Sequence, residues 1–258
     1  MKKTLTLLTL ASFALAAALF VPARAADDNK SARDSADAAS DAASKAGDAG
    51  SEPASEATEA AGKAAAKADA EGFVPLFTGK DLSGWKAAEN PQAFKVEDGA
   101  IVVNGERGHL FYVGPVKNHE FKDFHFRAEV MTMPNSNSGI YFHTSLQEKG
   151  WPSKGFECQV NNTYTKDPRK TGGLYAVKDV MNTAPVKDNE WFTYDIVVKG
   201  DRVQIMINGK TTSEWTQPKD FNPPQGMNGR MLSSGTFALQ AHDPGSKVLF
   251  RNIRVKPL

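Results

Sequence analysis

Between residues 72 and 258, apolar and polar residues alternate in many short runs that are separated by turn-forming residues. A period of two is typical of a β-strand, because successive side chains of a strand point to opposite faces of the sheet. The pairs Asp98-Gly99 and Asn208-Gly209 predict two-residue hairpin turns. The predicted strands cover residues 93–97, 100–103, 124–130, 140–143, 156–160, 194–198, 202–207, 237–242 and 248–255.

None of these runs has the sustained period of an amphipathic helix. About 187 residues remain from residue 72 onward, which suits one domain. Many short strands at this spacing predict an all-β fold over residues 72–258, a jelly-roll sandwich of two antiparallel sheets.

Three of the predicted strands combine an apolar face with an unusual outward face. The apolar positions are Ile140, Phe142, Phe156, Cys158, Val160, Phe237, Leu239 and Ala241. The outward positions are Tyr141, His143, Glu157, Gln159, Asn161, Gln240 and His242. Aromatic rings stack on sugars, and amides and carboxylates bind hydroxyls in forked pairs, so three neighbouring strands would form a carbohydrate groove. If the strands lie on different sheets, the same residues are ordinary surface groups.

Other histidines and the single cysteine add little chemistry. His109, His119 and His125 lack the spacing of metal ligands and are interpreted as strand or surface histidines. Cys158 is the only cysteine, which excludes an intramolecular disulfide and a cysteine-rich zinc site.

Residues 1–25 differ from the rest of the chain. They begin with two lysines after Met1, continue with an apolar run and end in Ala-Arg-Ala at residues 23–25. These are the parts of a secretory signal peptide that is cleaved after Ala25. An uncleaved membrane anchor is the alternative, since the run is almost long enough to span a bilayer. The sequence therefore predicts a periplasmic or secreted protein that has no transmembrane domain after cleavage.

Residues 26–71 form a second distinct segment. They contain 18 Ala in 46 positions and no Val, Ile, Leu, Met or aromatic residue. Without larger apolar side chains no helical face can be buried, so we predict a disordered linker. A helix that forms on a partner is the alternative interpretation.

The charge balance argues against nucleic acid as a partner. The 258 residues carry a net charge of +1, divided as +3 over residues 1–25, −6 over residues 26–71 and +4 over residues 72–258. A domain at +4 with scattered charges lacks the basic surface that binds a phosphate backbone.

The order of several short blocks identifies a family resemblance. Residues 72–85 read GFVPLFTGKDLSGW. Further blocks follow at residues 137–142 (NSGIYF), 156–160 (FECQV), 173–175 (GLY), 190–191 (EW), 207–209 (ING), 239–243 (LQAHD) and 250–255 (FRNIRV). Together they resemble the 3-keto-disaccharide hydrolase-like domain family over residues 72–258. The resemblance implies a concanavalin A-like jelly roll that acts on, or binds, glycans, in particular sugars oxidised at C3.

The chain departs from the family pattern in three features. His143 stands where the family usually has Arg, and Phe192 stands where Asn usually follows the Glu-Trp pair. Asn161 and Asn162 stand where an Asp commonly follows the Glu-x-Gln strand. The changes at His143 and at the two asparagines fall in the predicted groove.

The resemblance implies a glycosidase-type hydrolase of 3-keto-disaccharides. A ketone at C3 acidifies the hydrogen on C2, so a base can remove that proton while the C1–O bond leaves, and water then adds back. Glu157 is the predicted base, or a metal ligand if a divalent ion polarises the ketone. His242 and His143 are the next catalytic candidates, as proton donors or ligands, because imidazole titrates near neutral pH.

The remaining predicted site residues bind the substrate. Tyr141, Gln159, Gln240 and Asn137 would position hydroxyls, and Tyr175 would offer a phenol or a stacking ring. The predicted partner is an oligosaccharide or glycan, and the sequence leaves open whether a metal is needed. The alternative function is a non-catalytic, lectin-like module of the cell envelope, which the missing Arg and Asp favour.

Overall fold

The structure, a computed structural model, describes residues 67–258. The predicted signal peptide and all but the last five residues of the predicted linker lie outside the described residues. The strands are β1 Val74–Pro75, β2 Trp85–Ala88, β3 Phe94–Glu97, β4 Ala100–Asn104, β5 Gly108–Tyr112, β6 Phe124–Thr132, β7 Ser138–Thr144, β8 Phe156–Val160, β9 Arg169–Leu174, β10 Lys178–Met181, β11 Phe192–Lys199, β12 Arg202–Ile207, β13 Lys210–Thr216, β14 Thr236–Ala241 and β15 Lys247–Pro257. Short 3₁₀ helices cover Pro91–Ala93 and Val116–His119.

The strands form two antiparallel sheets. The eight-stranded sheet has the order β13-β12-β11-β6-β15-β4-β3, with β1 paired to β15. The seven-stranded sheet has the order β10-β9-β8-β7-β14-β5-β2. The predicted all-β, concanavalin A-like jelly roll is confirmed. Among residues 67–258, no helix is long and apolar enough to cross a membrane.

Both predicted hairpin turns are present. Asp98 and Gly99 join β3 to β4 with φ angles of 48° and 75°, and Asn208 and Gly209 join β12 to β13 with φ angles of 49° and 74°. Two successive positive φ angles are typical of the type I′ turn, whose twist matches the flanking strands.

The core lies between the two sheets, and the period of two predicts its members correctly. All eight positions predicted to be apolar and inward in β7, β8 and β14 belong to the main hydrophobic core. The Phe237 ring of β14 lies 4.9 Å from the Phe124 and Phe126 rings of the opposite sheet. The other face of β7, β8 and β14 is therefore turned away from the core.

The outer face of the eight-stranded sheet contains one buried carboxylate that is relevant to stability, that of Asp195. Asp195 is 2% exposed, and its Oδ1 lies 2.7 Å from His125 Nε2 and accepts from Arg127 Nε at 2.6 Å. Burial alone would raise the pKa of Asp195, but the hydrogen bonds from His125 and Arg127 outweigh burial and lower that pKa below 3.8. This carboxylate therefore stabilises the fold above about pH 3.8, and the stabilisation is lost as the pH falls through the folded-state pKa.

We expect Asp195→Asn to lower the free energy of unfolding at pH 7 by about 2 kcal/mol, because hydrogen bonds to a charged group are lost. The variant should also lose less stability than the wild type between pH 5 and pH 3. Urea unfolding at several pH values measures both effects, with Asp220→Asn, at an exposed position, as the control. Equal pH slopes for the wild type and Asp195→Asn would contradict this assignment.

Candidate functional site

The three strands that carry the predicted site residues are direct neighbours in the seven-stranded sheet. β7 lies between β8 and β14, and Tyr141 of β7 is directly opposite Glu157 of β8 and Ala238 of β14. Gln240 of β14 is opposite His109 of β5. Because these residues share the face turned away from the core, the sheet brings their side chains together.

A buried carboxylate lies at the centre of this face. Glu157 is 6% exposed and accepts hydrogen bonds on both oxygens. Tyr141 donates its hydroxyl to Oε2 at 2.7 Å, Gln240 donates Nε2 to Oε1 at 3.0 Å, and Arg230 Nη2 lies 3.3 Å from Oε2. Burial and the adjacent Glu157 raise the pKa of Tyr141 well above its usual range, so this phenol keeps its proton near neutral pH. Glu157 is thus held in one orientation by three donors.

Gly139 makes room for this carboxylate. A Cβ atom at Gly139 would lie 2.7 Å from Glu157 Oε1 and 2.9 Å from Glu157 Cγ. The Glu157 side chain can therefore lie across β7 and reach Gln240 on the next strand only because residue 139 has no side chain.

Several polar atoms on this face have no partner in the described part of the chain. They are His109 Nε2, Gln159 Oε1, Gln240 Oε1 and Arg230 Nη1, and all four are buried. Buried polar atoms in native proteins are nearly always hydrogen-bonded. Four such atoms without a partner on one face therefore indicate a ligand or ordered water. We call Tyr141, Glu157, Gln240, Arg230, His109 and Gln159 the Glu157 site.

An aromatic wall borders the Glu157 site. The Trp151 ring lies 5.7 Å from the His109 ring and 5.5 Å from the His242 ring. Trp151 is 45% exposed. His109 in turn meets the Tyr141 ring edge-on at 5.4 Å. Burial lowers the pKa of His109 to about 3, so its imidazole is neutral near pH 7.

His242 follows β14 directly and is oriented by its neighbour. Its Nδ1 lies 2.7 Å from Asp243 Oδ2, which also accepts from Ser246 Oγ at 2.9 Å. Burial alone would raise the pKa of Asp243, but the hydrogen bonds from His242 and Ser246 outweigh burial and lower it. An imidazole that is bonded to a carboxylate through Nδ1 presents its Nε2 for proton transfer.

Comparison with protein families matches residues 72–256 to the 3-keto-alpha-glucoside-1,2-lyase-like domain. The chain belongs to this family. Among solved structures, a candidate glycosyl hydrolase from Parabacteroides distasonis ATCC 8503 superimposes with a TM-score of 0.61 at 25% identity, covering 73% of this chain and 95% of its own. Another from the same organism gives a TM-score of 0.51 at 26% identity, covering 72% and 84% of the two chains. The comparison with curated proteins finds no match.

Another predicted residue of the lyase-like domain, Asn137, adjoins the Glu157 site through Gln159. Gln159 donates Nε2 to Asn137 Oδ1 at 2.9 Å, and both side chains are buried. The bond fixes the Gln159 amide with its unpartnered oxygen free to accept.

Tyr175 closes another side of the site. The guanidinium groups of Arg169 and Arg230 lie 4.7 and 5.5 Å from its ring centre. Burial and the nearby Asp167 raise the pKa of Tyr175 to about 12. Arg230 is thus positioned by the aromatic ring on one side and by Glu157 on the other.

His143 does not join the lyase-like domain's site, and its predicted outward position is wrong. β7 pairs with β14 through Tyr141↔Ala238 and Thr144↔Thr236, so two residues of β7 face one of β14 in a β-bulge. His143 adopts a φ of 54° there, and its ring packs 5.7 Å from the core residue Phe124. Its Nε2 donates to the Lys122 carbonyl at 2.8 Å, and its Nδ1 accepts from the Ser233 amide at 3.2 Å. Both ring nitrogens are thus used structurally.

Asn161 and Asn162 also have structural roles. Asn161, predicted to face outward, is fully buried and donates Nδ2 to the Asp167 and Arg169 carbonyls. Asn162 donates Nδ2 to Thr132 Oγ1 at 2.7 Å. An amide can donate in these positions whereas a carboxylate cannot, so the departure from the family pattern stabilises the loop after β8.

The residues of the Glu157 site do not fit a metal ion. Across residues 67–258 no group of three or more His, Cys, Asp or Glu side chains is arranged to bind one. Both oxygens of Glu157 accept from protein donors, and the Arg230 cation lies 3.3 Å away. A second cation at this carboxylate would be repelled by the first.

Three members of this region were not predicted as site residues. His109 lies on β5, a strand that the alternation did not identify. Arg230 and Trp151 lie in the connections before β14 and before β8. The sequence around each of these three residues does not indicate which strand its side chain will contact.

Proposed function

We propose that this domain cleaves the glycosidic bond of a 3-keto-glucoside by elimination, followed by hydration of the product. The observation that carries the proposal is a buried carboxylate, held by three donors, beside four buried polar atoms that have no partner among the described residues. A polyhydroxylated ligand would supply partners for these atoms. The family name supports an activity on this class of sugar.

Glu157 is the proposed base. The ketone at C3 acidifies the C2 hydrogen, and one Glu157 oxygen takes that proton. The electron pair of the C2–H bond moves into a C2=C3 double bond, which places the negative charge on the C3 oxygen as an enolate. The enolate then re-forms the C3 ketone while a C1=C2 double bond forms and the glycosidic C1–O bond breaks. Water then adds across the double bond and gives the free 3-keto sugar.

Arg230 is the proposed stabiliser of the negative charge that develops on the C3 oxygen. Its Nη1 is buried and has no partner in the described chain, while Nη2 lies 3.3 Å from Glu157. A fixed cationic donor next to the base stabilises the enolate in a site from which water is largely excluded.

His242 is the proposed proton donor for the leaving oxygen, with Asp243 holding its ring through Nδ1. His242 follows Gln240 by two residues, a separation of about 7 Å along an extended strand. Because Gln240 also binds Glu157, we place the base and the acid on either side of a single glycosidic bond. Tyr141, Gln240, Gln159 and Asn137 would position hydroxyls, with Tyr175 beside Arg230.

Gly139→Ala tests whether the position of the carboxylate matters. The added Cβ would need to move Glu157 by several tenths of an ångström, because it would lie 2.7 Å from Oε1. We expect kcat to fall about tenfold, since even a 1 Å misplacement of a reacting group can cost on the order of a hundredfold. Initial rates and the unfolding midpoint are measured together. Unchanged kcat in a folded variant would contradict a role for this carboxylate position.

The second candidate function is a non-catalytic, glycan-binding module. The observation that favours it is the Trp151 ring, which is 45% exposed and stands beside His242 as a flat surface for a sugar ring. Such a module would bind native glycans and leave them intact. The signal peptide proposed for residues 1–25 would deliver either kind of protein to the periplasm or the medium.

Product analysis distinguishes these functions. The purified chain is incubated with a native disaccharide and with its 3-keto form, with and without chelator, and the products are identified by mass spectrometry. Cleavage of the keto form alone is the expected result. Cleavage of both forms would contradict elimination, and saturable binding without cleavage would establish the binding module.

A further inference from the structure

Lys170 is a buried cation outside the Glu157 site. It lies on β9 and is 6% exposed. Its Nζ donates to the Tyr164 carbonyl at 2.7 Å, to the Asp167 carbonyl at 3.1 Å and to Asn161 Oδ1 at 3.2 Å. All hydrogen bonds that Nζ makes among residues 67–258 therefore go to uncharged oxygens, whereas a buried lysine usually pairs with a carboxylate.

The geometry requires the charged form of this side chain. Three acceptors need three N–H donors, which an ammonium group has and a neutral amine lacks. Burial lowers the pKa of Lys170, but the carboxylates of Asp167 and Asp188 oppose this effect. A charge whose donors are all hydrogen-bonded can be kept in a buried position, so Nζ occupies a cage of three oxygens as a bound cation would.

This cage fixes the loop between β8 and β9. Tyr164 donates its N–H to Asn161 Oδ1 at 2.9 Å, and Lys170 binds both that oxygen and the Tyr164 carbonyl. Within the described residues no other donor reaches the Tyr164 carbonyl. The Asp167 carbonyl, by contrast, also accepts from Asn161 Nδ2 at 3.1 Å. Loss of the ammonium would therefore release Tyr164 more than Asp167.

Tyr164 contacts the proposed acid, His242. The two ring centres lie 5.5 Å apart at an interplanar angle of 67°, an edge-to-face contact. Burial raises the pKa of Tyr164, and so does Asp243, the carboxylate that holds His242 through Nδ1. Trp151 also contacts the His242 ring, but Trp151 is exposed whereas Tyr164 is buried. Tyr164 is thus more firmly enclosed than Trp151.

We infer that the Lys170 ammonium is an internal cation that shapes the β8–β9 loop and, through Tyr164, positions the His242 ring. Lys170 acts through another residue and is therefore a positioning residue. The place of the His242 ring can be measured without substrate. Only the effect of Lys170 on turnover rests on the proposed function, because it requires His242 to be the acid.

The NMR resonances of the His242 ring report its position, because aromatic neighbours shift the resonances of nearby protons. They are assigned in the full chain by comparison with His242→Gln, which lacks them. We expect Lys170→Met to move these resonances, and Lys166→Met, at an exposed position of the same loop, to leave them unchanged. Lys170→Gln, which keeps two donors without the charge, is measured in the same way if the methionine variant does not fold. Unmoved resonances in a folded Lys170 variant would overturn the inference, even if the unfolding midpoint falls.

Turnover separates failure of the inference from failure of the proposed function. A 3-keto-disaccharide needs a proton on its leaving oxygen, whereas nitrophenolate leaves without one. We expect Lys170→Met to lower kcat about tenfold for the disaccharide, through a misplaced acid, and to change kcat little for a nitrophenyl 3-keto-glucoside. Equal losses for the two substrates would overturn the inference alone. If the wild type cleaves neither substrate while the His242 resonances move in Lys170→Met, the proposed function is overturned instead.

Discussion

Glu157→Gln is expected to lower kcat for a 3-keto-disaccharide by about 10³-fold, within the range that a positioned general base contributes. Glutamine has nearly the same shape as glutamate, so the variant still fills the space over Gly139 that the carboxylate occupies. Its amide has no basic oxygen that can take the C2 proton. The variant should therefore also stop exchange of the C2 hydrogen with deuterium from heavy water, which NMR measures independently of bond cleavage.

The fold of this variant must be checked, because Glu157 and Arg230 are a buried ion pair. Removing one partner of such a pair typically costs about 3–5 kcal/mol. Glu157→Asp keeps the charge and shortens the side chain by one methylene, so we expect it to retain partial exchange and turnover. Glu214→Gln is the control, since Glu214 pairs with Arg202 at the exposed edge of the other sheet. Full turnover by a folded Glu157→Gln protein would remove Glu157 from the mechanism.

The sequence could predict the face on which the site lies because strand alternation is a local property. Tyr141, Glu157 and Gln240 each lie between core residues along the chain, so a period of two assigns them to the opposite face. The sheet order makes the three strands neighbours. That order cannot be derived from the local sequence of any one strand. The two hairpins were predictable because Asp-Gly and Asn-Gly tolerate the positive φ angles of a type I′ turn.

His143 shows where alternation fails. The β-bulge inserts one extra residue into β7, and every side-chain direction after it is reversed relative to the partner strand. Nothing in the run from Ile140 to Thr144 distinguishes a bulged strand from a regular one. The prediction therefore placed His143 beside Tyr141, whereas the structure turns it toward Phe124.

His109 was missed for a different reason. All five residues of β5 are buried. On its outer face the Trp151 ring contacts His109, and Phe111 packs with Ala88, Tyr141 and Ala238. A strand that is buried on both faces loses the contrast between apolar and polar positions. Arg230 is further removed from local patterns, since it reaches Glu157 across 73 positions of sequence.

Arg230→Met is expected to lower kcat by about 10²-fold or more, the loss typical when one donor to a developing oxyanion is removed. Methionine keeps much of the side-chain volume against Tyr175 and supplies neither charge nor donor. Glu157 would keep its bonds from Tyr141 and Gln240, so the base stays in place while the enolate loses its stabiliser. Exchange of the C2 hydrogen should therefore slow together with cleavage, and the affinity for an unoxidised disaccharide should change little.

The matched control is Arg169→Met, because Arg169 stacks on the same Tyr175 ring at 4.7 Å but pairs with Asp167 and Asp179 instead of Glu157. Rates of C2 exchange and of cleavage are compared for both variants at saturating substrate. If Arg230 acted only by stacking on Tyr175, the two variants would lose similar fractions of both rates, because each substitution removes one cation from the ring. An enolate role predicts a large loss of both rates in Arg230→Met only. Arg230→Lys should recover part of that loss, because an ammonium keeps the charge but lacks the planar pair of donors that serves Glu157 and the C3 oxygen together.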